Sequence, residues 1–92
     1  MGAIQLELHA ELLENEIQEN LGKSKDVDWL AQYPPLLTAL QDAKLGRVDK
    51  PRDIGLSRWE LESNIQDFRG VSHRLAQFEL LLEGWALPSG EK

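Results

Sequence analysis

A chain of 92 residues with a formal charge of −6 and no cysteine excludes several classes of protein at once. It has no disulfide framework, thiolate nucleophile or cysteine-type zinc site, and its acidity is a poor match for phosphate backbones, which are held largely by Lys and Arg. The apolar share of 41% is enough for one modest core and 28% charged residues favour solubility, so one helical domain over residues 1–92 is expected, with a flexible tail from about residue 88.

The first segment reads as a helix from about Ile4 to Leu21. Leu6, Ala10, Leu13, Ile17 and Leu21 recur at steps of three and four, which makes an apolar stripe roughly 80° wide. Gly22 follows as a helix stop. Ile4, Leu8 and Leu12 form a second apolar row away from the first, so this helix is either sandwiched within the fold or faces a partner. Ile4, Leu6 and Leu8 also alternate with polar neighbours, as a strand would. No second strand is evident to pair with it, and the helix is the preferred reading.

Gly22 to Asp28 reads as a polar linker, with Asp26 or Asp28 capping a short helical turn through Trp29, Leu30 and Tyr33. Pro34-Pro35 ends that turn, because Tyr33 is pushed out of the α region. A second main helix then runs from Pro35 to Leu45 with Leu36, Leu37, Leu40 and Ala43 inward, closed by Gly46. Residues 47–56 read as a loop by their Pro51, Gly55 and charge density. Ser57-Arg58-Trp59-Glu60 has the spacing of a capping box and opens a third main helix to about Glu83. Its inner face carries Leu61, Ile65, Phe68, Leu75 and Leu82, with Val71 and Phe78 at the edge. Gly84 stops it and would place Trp85 against Leu80. Such a helix is about 39 Å long, against about 32 Å for a globule of this size. Either it bends near Gly70, around Arg69–Ser72, or its end overhangs toward a partner. The expected fold is therefore all-α, a bundle of three main helices near 4–21, 35–45 and 57–83, with a short turn before Pro34.

Nothing in the chain spells out catalysis. His9 and His73 lack an acidic residue at helical metal-site spacing, and both read as solvent-facing. Ser72 and His73 are sequence neighbours and would point apart on a helix. No phosphate-binding glycine loop, nucleophile elbow or calcium loop occurs. No enzyme activity, cofactor or metal is expected. Runs such as Leu80–Leu82 are too short to span a bilayer, and the start lacks the basic and apolar regions of a signal peptide. Cytoplasmic residence without membrane contact is the expectation.

Charge is unevenly spread. Residues 1–21 hold five Glu and no Lys or Arg. On a helix Glu7, Glu11, Glu14 and Gln18 line a row about 60° wide, an acidic ridge bordering the main apolar stripe. The basic residues Lys44, Arg47, Lys50 and Arg52 are interleaved with Asp42, Asp49 and Asp53, the pattern of a solvated loop. Trp29, Trp59 and Trp85 lie at element ends, where each is a lid on a thin core or an interface anchor. The expected partner-binding residues are Glu7, Glu11, Glu14, Leu8, Leu12 and Trp59, and the expected partner is a protein with a basic surface, not nucleic acid. In size, acidity and helicity, though in no particular residues, the chain resembles small bacterial immunity proteins, antitoxins and phage-encoded inhibitors. That resemblance implies a binder that covers a basic functional surface. A self-associating structural or chaperone-like subunit, a homodimer through the spare apolar row, is the alternative.

Overall fold

The computed structural model describes residues 3–84, without the side chains of Ala3 and Ser57. Among these residues the chain is all-α: α1 (Ala3–Asn20), α2 (Lys25–Leu30), α3 (Pro34–Lys44), α4 (Ser57–Glu62), a 3-10 turn over Ile65–Asp67, and α5 (Arg69–Leu82). The helix preferred for the first segment is the one observed: Ala3–Asn20 is continuous, and the rival strand alternation at Ile4, Leu6 and Leu8 is not adopted. α1 lies between α3 and α5 and packs on both. Leu6, Ala10, Leu13 and Ile17 of its main stripe are buried there, while Leu21 falls beyond the helix end and is largely exposed.

The segment after α1 is more structured than a polar linker. Ser24, not Asp26 or Asp28, caps α2: its side chain accepts the Asp26 N–H at 3.1 Å. Asp28 instead accepts the Gly22 N–H at 2.8 Å and closes the α1–α2 turn. Tyr33 is extended, at φ −74° and ψ 112°, as a residue before proline should be, and α3 begins at Pro34 with prolines in its first turn. The α3 face differs from expectation by one position. Leu36, Ala39, Leu40 and Ala43 are buried, and Leu37 turns outward. Gly46 ends α3 at φ +72°. Its N–H donates to Ala43 O, and the Arg47 N–H reaches Asp42 O at 2.8 Å. This double bond pattern needs the left-handed conformation that glycine adopts without strain.

The expected helix over 57–83 is broken. α4 stops at Glu62, Ser63 turns extended, and the chain makes a single 3-10 turn before α5 starts at Arg69. The break lies ahead of Gly70, which sits inside the first turn of α5. Two residues at the start of α2 hold it. Asp26 accepts the Asn64 N–H at 2.9 Å, and Ser24 Oγ donates to Asn64 Oδ1 at 2.9 Å. The backbone amide that a continuous helix would have satisfied internally is thus satisfied across the fold. Leu61, expected inward, is 77% exposed, whereas Ile65, Val71, Leu75, Phe78, Leu81 and Leu82 are buried. The helix opens at Ser57 with Leu56 preceding it. The Ser57 side chain, on which a capping box depends, lies outside the described residues, as does Trp85. The loop before α4 is also part of the core: Ile54 and Leu56 are buried, and the Arg52 N–H donates to Leu82 O at 2.9 Å.

Candidate functional site

The outer face of α1 carries most of the residues singled out from the sequence. At about 100° per residue, Ile4 and Leu8 project almost opposite Leu6, Leu13 and Ile17. They are 80% and 51% exposed, and Leu12 beside them is half-buried. The second apolar row is therefore uncovered, because α3 and α5 occupy the two flanks of the inner stripe and nothing among the described residues packs over the outside. Glu7 and Glu11 are exposed next to this row and have no ion-pair partner among the described residues.

Glu14 departs from the rest of the ridge. The Lys44 ammonium donates to both of its carboxylate oxygens, at 2.8 and 2.9 Å. Both side chains are about one-third exposed, at 35% and 36%. Such a pair adds at most about 1 kcal/mol, but it ties α1 to the end of α3 and removes Glu14 from the outward charge. The acidic ridge thus lies between the two apolar rows, with its Glu14 end neutralised and its Glu7 and Glu11 end free to meet an outside cation.

Trp59 is not part of this face. It is half-buried against the core, its ring 4.8 Å from that of Trp29. Trp29 in turn stacks on Tyr33 at 4.8 Å, and the Tyr33 hydroxyl donates to Ile54 O at 2.7 Å. Trp29 is the outermost ring of the stack, 44% exposed. The basic loop is partly consumed within the fold as well, Lys44 by Glu14 and Arg52 by Asp42 at 3.0 Å.

Two titratable groups were not legible in the sequence. His9, expected to face solvent, is only 8% exposed, and its Nδ1 is buried with no hydrogen-bond partner. It sits at the edge of the inner stripe, three residues after Leu6 and four before Leu13, and that position was the available signal. Burial, then the nearby charges of Arg74 and His73, hold its pKa below 6.5. On the other side of α5, Glu79 is desolvated and meets Glu60 of α4. Burial first, then the hydrogen bond and charge of Glu60, then Glu83 and Asp53, push its carboxyl up to about 9. The direction of the shift favours a proton held in the hydrogen bond between Glu79 and Glu60. The pair borders a shallow groove also lined by Leu61, Ala76, Leu80 and Glu83. No histidine, serine, threonine or lysine lines that groove, and a proton shared there relieves repulsion between two carboxylates.

No helix among the described residues is long and apolar enough to cross a membrane, and no group of three or more His, Asp or Glu among them is placed to hold a metal ion. No protein-family model, curated protein or solved structure matches the chain.

Proposed function

We propose that this protein is a non-catalytic, cytoplasmic interaction module that seats the outer face of α1 on a basic, partly apolar surface of a protein partner. One observation carries the reading: Ile4 and Leu8 are exposed on the same helix face as Glu7 and Glu11, with no cation from the described residues beside them. Exposed apolar side chains in a row mark a contact surface, and an amphipathic helix lying in a groove is a common way to use one. The acidic flank selects the partner's sign, since like charges across an interface oppose docking and opposite charges steer it. A blocker of a basic functional surface, of the kind the immunity proteins and antitoxins represent, fits this chemistry.

The alternative, self-association through α1, meets a physical objection. A second copy on the same face would lay one Glu row against another with no basic residue in α1 to relieve it. Exposed Leu37, Leu45 and Leu61 elsewhere are what favours an assembly role.

Binding kinetics separate the two. A photo-crosslinker at Leu12 identifies the molecule that contacts α1, and association with that purified partner is then measured at several salt concentrations. Glu7→Lys with Glu11→Lys should slow association by about tenfold at low salt and flatten its salt dependence. Leu8→Asp should mainly speed dissociation, with helicity by circular dichroism unchanged. Association rates that ignore the charge reversal at every salt would remove the ridge from the mechanism. A wild-type dimer by light scattering that Leu8→Asp splits into monomers would favour the assembly subunit.

A further inference from the structure

We infer that the α1–α5 seam is an acid-sensitive latch, in which protonation of His9 loosens the N-terminal half of α1 and withdraws the partner face. The first half of this inference stands on the seam itself; the second rests on the interaction reading above. His9 belongs to the same helical turns as Ile4, Leu8 and Leu12 but projects to the side where α1 packs on α5. The residue is more than nine-tenths buried, and its Nδ1 is buried with no hydrogen-bond partner. In the imidazolium both ring nitrogens are donors, so the cation places an N–H on buried Nδ1 with no acceptor, which is costly in itself.

The charges around the ring add to that cost. From α5, His9 is faced by Arg74 and His73, one a cation and the other able to become one. The Arg74 guanidinium donates to Oε1 of the buried Gln77 at 3.1 Å. α3 brings Asp42 and Lys44, already engaged with Arg52 and Glu14. α2 brings Lys25, which is exposed, together with Asp26 and Asp28, which bond Asn64 and Gly22 near the far end of α1. Along α1 the residues one turn from His9 are Gln5, Leu6, Leu12 and Leu13, and Glu16, two turns on, reaches toward Gly70 of α5. Among the described residues no carboxylate is bonded to the imidazole, so protonation finds repulsion on one side and no counter-charge on the other.

The sign follows from the lowered titration. The folded state binds fewer protons than the unfolded state between the folded pKa and 6.5, so the contribution of His9 is complete above 6.5 and is lost as pH falls through that window. Glu79 acts in the opposite direction from the other side of α5, which makes global stability a blurred readout. Local protection of α1 is the sharper one.

The test uses the full chain. Amide hydrogen exchange, corrected for intrinsic rates, is followed at residues 6–13 between pH 7.5 and 5, alongside NMR titration of the His9 ring. Protection of α1 should fall severalfold or more on acidification, about tenfold for each pH unit by which the folded titration lies below the unfolded one. His9→Gln should keep its protection over the same range. Arg74→Gln should raise the His9 titration toward 6.5 and weaken the pH dependence. A wild-type His9 that titrates at or above 6.5, or equal loss of protection in wild type and His9→Gln, would overturn the latch. Because these readouts need no partner, they stand or fall separately from the binding role of Glu7 and Glu11.

Discussion

A methyl group at position 70 would collide with the carboxylate of Glu16, whose Cδ lies 2.8 Å from where a Cβ would stand. Gly70 is the second residue of α5, and the residue ahead of that helix, Phe68, offers no side-chain cap. Glu16 therefore brings a negative charge to the positive end of a helix that lacks its own cap, an arrangement worth about 0.3–1 kcal/mol. Glycine here serves close approach between two helices, since its conformation is within reach of any residue. The consequence is a coupling between the two positions. Gly70→Ala displaces the carboxylate in the wild type, but in a Glu16→Ala background it gains helix propensity with nothing to displace. Urea titration of the four variants should show an interaction energy of about 0.5–1 kcal/mol. Strict additivity would mean that Glu16 does not occupy this site.

At the level of elements, the short α2 and the break before α5 are one structural unit. Ser24 caps α2 and bonds Asn64, and Asp26 holds the Asn64 amide, so the residues that begin one helix also prevent another from continuing. Ser24→Ala should cost about 1–2 kcal/mol, more than an ordinary exposed cap, because the 63–64 turn loses a partner at the same time. Thermal unfolding measures the total, and hydrogen exchange at residues 63–68 shows whether the turn loosens with it. A loss confined to α2 would separate the two roles.

For the molecule as a whole, the break sets the shape. The radius of gyration is 12.4 Å and the extents are 33 × 29 × 23 Å, too small for an unbroken helix of about 39 Å. Folding α4 back also brings Glu60 to Glu79, and stability against pH should record that contact. Glu79 binds its proton more tightly when folded, so its contribution is complete below its ordinary value of 4.5 and is lost as pH rises toward about 9. Glu79→Gln keeps the hydrogen-bond donor without the ionisable proton. It should be more stable than wild type by about 1 kcal/mol or more at pH 8.5, with the advantage shrinking toward pH 5. Urea midpoints at three pH values check this, and parallel profiles for the two proteins would remove the shared proton.

Local patterns carried most of the architecture. The three- and four-residue spacing of Leu6, Ala10, Leu13 and Ile17, the glycines at 22, 46 and 84, and the Pro34-Pro35 pair each act over a turn or so of chain, and each places its element as read from the sequence. The outward position of Ile4, Leu8, Glu7 and Glu11 was legible for the same reason: one face of a helix is known once the opposite face is. What needed the tertiary structure involves partners far apart in the chain. Lys44 neutralises Glu14 across 30 residues, Asp26 stops a helix 38 residues on, and α5 covers His9 while α4 supplies the second carboxyl to Glu79. Periodicity reports which face of a helix is apolar, but the protonation of a side chain and the continuity of a helix depend on what the fold brings against them.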